Sequence, residues 1–503
     1  MTDLHAGRAE LRRLALATMF PGFLGAATPP AWLRRLAAEG LGGVVLFGRN
    51  VDPSRGDAGV AELTAALREA NPDLLVGIDE EGGDVTRLDV AAGSTLPGNA
   101  ALGALDDPEA SERVAAEIAA RLRACGVHLN FAPVADVDSN PQNPVIGARS
   151  FGFDPDLVSR HVAAFVAGQQ AQGVAATAKH FPGHGGTSED SHLTVPSIHD
   201  SLEVIHQRDL PPFRAAVKAD VKIVMTAHIR FPAIDGERPA TLSGPVITGL
   251  LREELGYDGL VMTDGMDMHA ISRTVGHPEG AVLALLAGVD ALCVGGDTVG
   301  PETLEAMASA LVEAVESGRL PEQRLAEAAG RVASLRRWLA GVTPVPVAAG
   351  AATGAARRAV TTAGDLRLEA PPLVLQLEDE PSMAAGPIPW GVAEHLAARV
   401  PGTVVVRLTE AGPDLAGVLA EHPDRRVVVG VRGVRRRPWQ VGLVAAAREL
   451  RPDLVVVDHD VNPVADVLGE HHVLTYGAAR VTAEAAADIL ASHSGVSEPG
   501  SAT

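Results

Sequence analysis

The 503-residue chain is poor in aromatic residues, with two tyrosines and four tryptophans, and it carries two cysteines and only three lysines against 39 arginines. Cys125 and Cys293 stand far apart, each in an apolar setting, which excludes a disulfide scaffold and predicts core thiols in a reduced compartment. Long hydrophobic runs are also missing. The N-terminal apolar stretch spans roughly ten residues, too few for a membrane span, and no signal peptide is expected there. Glu10 and the arginines beside it read instead as a helix leading into a strand, and the expected location is the cytoplasm. Positive charge is scarce overall. The net charge of -21 is spread along the chain, which argues against nucleic acid or an anionic membrane as partner and favours a small neutral or polar substrate.

What is present is a regular alternation. The length predicts two domains, one of them large enough for a barrel. From residue 16 to about 300, glycine-bounded apolar runs ("ATMFPGF", "GGVVLFGR", "LLVGIDEEGG", "VHLNFAPVADV", "VAATAKHFPG", "KIVMTAHI", "GLVMTDGM", "DALCVGG") alternate with segments of helical period. Helices are expected at 108–124, with Val114, Ile118 and Leu122 on one face, and at 301–317, opened by Pro301 and closed by Gly318. Eight such runs predict an α/β fold, a (β/α)8 TIM-type barrel whose strand C-termini carry Asp79, Lys179, His180, His228 and Asp264. The barrel is expected over residues 1–340 and an Ala/Gly/Pro-rich linker with one short helix over 341–372. A smaller α/β sandwich built on Val-rich runs follows over 373–492, and a disordered tail over 493–503.

The stretch "AKHFPGHGGTSEDSHLTVP", residues 178–196, concentrates Lys179, His180, His184, Asp190 and His192. His180 and His184 are four apart, as in a helical zinc motif, but Pro182 and Gly183 between them break a helix. A loop-built metal site from His184, Asp190 and His192, a proton-transfer device and a plain polar loop all remain open on these residues alone. Lys179 ends an apolar strand in a chain that otherwise uses arginine. A compact ammonium suits sugar hydroxyls, whereas a strand-end lysine reaching solvent is the plainer reading. An Asp two residues from His192 would orient its imidazole and raise its pKa, giving a group able to donate and accept a proton near neutrality. Asp264 follows an apolar strand and precedes a turn into a helix, as either a rim nucleophile or a helix cap. Asp267, expected inside that helix, is the weaker candidate, and His228 reads as a buried, satisfied histidine.

Taken together, "GGVVLFGRNV", "IDEEGGDVTRL", "NFAPVADVDSNPQNPVIGARSFG", "KHFPGHGGTSEDSH", "RPATLS" and "YDGLVMTDGMDM" resemble glycoside hydrolase family 3, in its β-N-acetylhexosaminidase subgroup of bacterial cell-wall-recycling enzymes. The resemblance spans roughly residues 10–320, and a looser one covers "RRPWQ" and "LVVVD" of the second half. It implies a retaining mechanism with Asp264 as nucleophile and His192, paired with Asp190, as acid and base, in place of the usual two carboxylates. It further implies that Asp79, Arg87, Arg149, Lys179 and His180 hold the terminal sugar, with no metal and no cofactor. From the residues alone, Arg149 reads equally as a surface arginine paired with an acid, and Arg87 as part of an outer helix. The chain departs from the family pattern at Glu80 and Asp84, usually Gln and Arg, and at Gly186, often Asp. Two added acids near the rim would make an anionic fragment less welcome.

The expected function is an exo-acting β-N-acetylglucosaminidase on small glycosides or cell-wall fragments. Alternatives are a phosphorylase using the same trio, a β-glucosidase, and a non-enzymatic sugar-sensing protein, against which the intact trio argues. The run Arg435 to Arg437 reads as solvated surface.

Overall fold

The structure, a computed structural model, describes residues 2–189, 195–295, 300–378, 384–411, 414–461 and 463–494. Each of the eight apolar runs contains a short strand: β1 Met19–Pro21, β2 Gly43–Leu46, β3 Leu75–Ile78, β4 Leu129–Asn130, β5 Ala175–Phe181, β6 Ile223–Thr226, β9 Leu260–Met262 and β10 Leu292–Val294. A small antiparallel pair, β7 Arg230–Phe231 and β8 Asp235–Pro239, sits after β6. The order β2-β3-β4-β5-β6-β9 is parallel throughout, and β1 pairs in parallel with β10. One parallel bridge, Met262 to Ala291, joins β9 to that pair, and Gly42 N donates to Leu16 O beside β1. The result is a curled parallel sheet with helices outside it.

The strands are apolar on both faces because both are covered. Val44 and Leu46 of β2 point outward into the helix-facing core, whereas Val45 between them joins Phe20, Leu129, Ile223 and Met262 inside the curl. Packing there is tight enough to dictate a glycine: a Cβ on Gly43 would lie 2.4 Å from the Phe20 ring. The helix Glu322–Gly341 closes one end of this interior with Val332 and Leu335. Of the surrounding helices, Pro108–Ala124 starts where expected, with Pro at its first position and Asp107 accepting from Ala110 N. Such a cap contributes about 1 kcal/mol. The helix Pro301–Glu316 likewise matches its expected span.

A second sheet has the order β11-β16-β15-β14-β12-β13, from β11 Thr361–Ala363, β12 Leu373–Leu377, β13 Val404–Leu408, β14 Val427–Val431, β15 Val455–Asp458 and β16 His472–Leu474. All pairings are parallel except β11 with β16. Leu373, Leu375 and Leu377 feed one core and Val374 the other, so this sheet too is buried on two sides.

The stretch 341–372, expected as a linker with one helix, holds the helix Ala351–Ala359 and also the edge strand β11. Ala352 and Ala355 of that helix join the first core, and Ala356 packs on Ala479 and Val481. Of the expected tail, His493 and Ser494 meet Leu368, and residues 495–503 lie outside the described residues. Both cysteines are free and buried. No described helix is long and apolar enough to cross a membrane.

Candidate active site

The carboxyl ends of the first sheet's strands surround a cavity of about 440 Å³, lined by Asp79, Glu81, Arg87, Arg149, Lys179, His180, His184, Asp264 and Asp267 over an apolar floor that includes Phe131 and Met225. Six of the expected site residues, Asp79, Arg87, Arg149, Lys179, His180 and Asp264, therefore share one space. Asp190 and His192 lie outside the described residues.

A relay of alternating charges forms one wall. Lys179 Nζ is 2.7 Å from Asp79 Oδ1 and 2.6 Å from Glu81 Oε1. The Glu81 carboxylate in turn accepts from Arg149 Nε at 3.0 Å and Nη2 at 2.9 Å. Lys179 is 2% exposed and Glu81 1%, so Lys179 does not reach solvent and Arg149 is not a surface arginine. Each buried charge is tolerated because it touches one of opposite sign. Burial raises the Glu81 carboxyl, but Arg149 and Lys179 outweigh it and hold the group at about 2. Burial lowers the Lys179 ammonium, and Asp79 and Glu81 reverse that, leaving it above its ordinary value.

Asp136 organises the histidines. Its Oδ1 accepts from the backbone N–H groups of His180, at 3.0 Å, and His184, at 2.7 Å, while Oδ2 lies 2.8 Å from His180 Nδ1. That contact orients the ring with its other nitrogen directed elsewhere. His184 is buried against His180, and burial first, then the His180 charge, lowers its pKa to about 4. The two histidines stand on a strand and the loop after it, not on a helix, and no group of three or more metal-ligating side chains occurs among the described residues.

Asp264 follows β9, and its Oδ1 accepts from Gly265 N at 2.7 Å. The next helix, His269–Ser272, has Met268 at its N-cap position and no side-chain cap, so Asp264 is not a cap. Asp267, expected within that helix, stands in the turn before it and lines the same cavity. His228 is buried and occupied as expected: Nδ1 lies 2.7 Å from Thr241 Oγ1, and Nε2 lies 3.0 Å from Gly265 O. A carbonyl only accepts, so Nε2 carries a proton and braces the peptide next to Asp264.

Three further expectations change. Arg87 is on the loop after β3, not on an outer helix. Glu80 is fully buried, with Oε2 accepting from Arg87 N at 2.8 Å and Leu88 N at 2.9 Å, and burial raises its pKa. Asp84 is occupied by Arg432, at 2.6 Å, and by Ala478 N. Neither acid lines the cavity, so the expected exclusion of anionic fragments loses its basis. At Gly186, a Cβ would lie 3.2 Å from Arg208 Nη2, a guanidinium already paired with Asp200 and Asp209. Arg436, within the run read as solvated, donates to Asn143 O at 2.7 Å.

Sequence reasoning missed Glu81 and Asp136. The available signal was the same in both cases: an acid at the end of an apolar run, where a charge must find buried partners.

Residues 29–335 match the model of the glycosyl hydrolase family 3 N-terminal domain. The chain is 35% identical over 335 residues to the beta-hexosaminidase A of Pseudoalteromonas piscicida, covering 62% of this chain and 56% of that protein's length. It is 42% identical over 267 residues to a beta-hexosaminidase of Xylella fastidiosa, covering 52% of this chain and 77% of the relative. A family 3 β-N-acetylglucosaminidase from Paenibacillus sp. superposes with a TM-score of 0.84 at 34% identity, covering 96% of this chain and 97% of that one. The chain belongs to glycosyl hydrolase family 3.

Proposed function

We propose that the protein is a retaining exo-β-N-acetylglucosaminidase acting on small glycosides or cell-wall fragments, in the cytoplasm. The observation that carries this reading is the single cavity in which Asp264 shares space with Asp79, Lys179, Arg149, His180 and Arg87. The likeness to the Paenibacillus β-N-acetylglucosaminidase along nearly the whole chain supports the choice of sugar. We read the eight parallel strands as a (β/α)8 barrel within residues 1–340 and the second sheet as an α/β sandwich within 373–492.

In this reading the Asp79 carboxylate and the Lys179 ammonium take the hydroxyls of the terminal sugar, and Arg149 and His180 fix its remaining oxygens. A preformed set of charges loses little on reorganising around the transition state. Asp264 attacks the anomeric carbon as the bond to the leaving oxygen breaks, and that oxygen takes a proton from His192. A water then gives its proton to His192 and displaces Asp264, releasing the sugar with its configuration retained. The roles of His192 and Asp190 rest on the match of "KHFPGHGGTSEDSH" to the family pattern.

A panel of nitrophenyl glycosides, assayed with and without phosphate, tests the reading. Preferred turnover of the N-acetylglucosaminide, with free sugar as product in both buffers, is expected. Preference for the glucoside, or sugar 1-phosphate formed only with phosphate, overturns it.

A further inference from the structure

The loop leaving β3 is held at three places by segments that flank the second sheet. Asp84 accepts from Arg432 Nη2 at 2.6 Å and from Ala478 N at 2.6 Å. Arg87 donates through Nη2 to Ala384 O at 2.9 Å and through Nη1 to Ala385 O at 3.3 Å. Val481 N donates to Ser94 O at 3.1 Å. Arg432 directly follows β14, and Ala478 follows β16, so the carboxyl edges of the two sheets face each other across this loop.

Asp84 does not line the cavity, yet it stands three residues after Glu81 and three before Arg87, which both do. The segment between them has little slack. Gly83 N is bonded to Leu96 O, and a Cβ on Gly83, whose φ is +62°, would lie 2.4 Å from Gly98 Cα. Arg432 is fixed independently of Asp84: its guanidinium carbon lies 5.5 Å from the Trp390 ring centroid, and its backbone N–H meets Gln440 Oε1. The side chains of Asp84 and Arg432 are 10% and 21% exposed, so the pair is screened less than a surface pair.

We propose that Asp84 and Arg432 form a latch through which the second sheet positions Glu81 and Arg87 in the cavity, making Asp84 a positioning residue for sugar binding. The inference rests on the proposed function only in taking this cavity as the sugar site. Asp264 follows β9, which is four strands from β3 in the order β2-β3-β4-β5-β6-β9. Loss of the latch therefore acts on binding more than on bond cleavage.

The test compares Asp84→Asn, which keeps an acceptor for Ala478 N but removes the charge, with Arg432→Gln and the double variant, using whichever nitrophenyl glycoside the wild type turns over fastest. Each single variant is expected to raise KM about tenfold, the scale of one hydrogen bond to a charged group, with kcat changed less than about twofold. The double variant should be no worse than either single one, because the residues act as a pair. Asp84→Glu, which keeps the charge, should recover part of the loss. Amide exchange over residues 82–88 reads the latch without any substrate and should accelerate in both single variants. Unchanged KM with only a lowered melting temperature, additive losses, or unchanged exchange overturns the latch. Failure of the N-acetylglucosaminide alone in the wild type strikes the proposed substrate and leaves the latch to be judged on the glycoside that is turned over.

Discussion

The Lys179 ammonium lies 2.6 Å from the Glu81 carboxylate, both of them largely buried in the wall of the cavity. Glu81 is therefore the shared counter-ion of two cations, since Arg149 grips the same carboxylate through two nitrogens.

Glu81→Gln should then leave the buried Lys179 and Arg149 short of negative charge. Removing one partner of a buried pair costs about 3 kcal/mol or more, and a fall of that order in unfolding free energy by urea titration is expected. Loss of sugar affinity should accompany it, because Lys179 and Arg149 then relax from their positions. A stability within about 0.5 kcal/mol of wild type, the range of an ordinary surface change, would contradict this account.

Acid should act on the site in two stages. His184 is lowered from 6.5 to about 4, so the folded state binds its proton more weakly than the unfolded state does. Its contribution is complete above pH 6.5 and is lost as pH falls toward 4, by about 3 kcal/mol in all. Glu81 is held at about 2, so its contribution is complete above 4.5 and is lost between 4.5 and 2. Asp209 runs the other way: burial raises it to about 6, so its ionisation costs stability as pH rises from 3.8 to 6. Stability curves for His184→Asn and Asp209→Asn, each subtracted from wild type between pH 4 and 6.5, should slope in opposite directions. Parallel differences would remove the assigned shifts.

On the proposed mechanism, Asp264→Asn removes the nucleophile alone and should reduce turnover at least about a thousandfold while leaving the fold and sugar binding largely intact. A 2-fluoro glycoside should label Asp264, as read by peptide mass spectrometry. Labelling of Asp267, which lines the same cavity, would move the nucleophile there.

His192→Ala should slow sugar leaving groups far more than an acidic phenol, which departs with little protonation. With the activated phenol, base assistance to water is lost as well, so a burst followed by slow turnover is expected. Asp190→Ala should act in the same direction but less severely, because the imidazole remains. Equal slowing of both substrate types without a burst would confine His192 to binding.

The eight parallel strands, the helices 108–124 and 301–316 and the Val-rich second sheet were legible because each depends on local rules: apolar runs of strand length, helical period, and proline or glycine at the ends. The strand-end positions of Asp79, Lys179 and Asp264 followed from the same pattern. β11 was not legible, since "TTA" in an Ala/Gly-rich stretch becomes a strand only by pairing antiparallel with β16.

Charge partners were the part that chain order conceals. By itself the sequence determined where Asp79, Lys179 and Asp264 stand, toward the carboxyl ends of their strands, because alternation and turn chemistry act over a few neighbouring residues. Only the tertiary structure decided that Glu81 serves Lys179 and Arg149, that Asp136 binds His180 and His184, that Glu80 turns inward, and that Asp84 reaches Arg432 in the other half of the chain. Those pairings are set by which buried charges are brought within about 3 Å of one another, a distance at which an unpaired charge is too costly to keep.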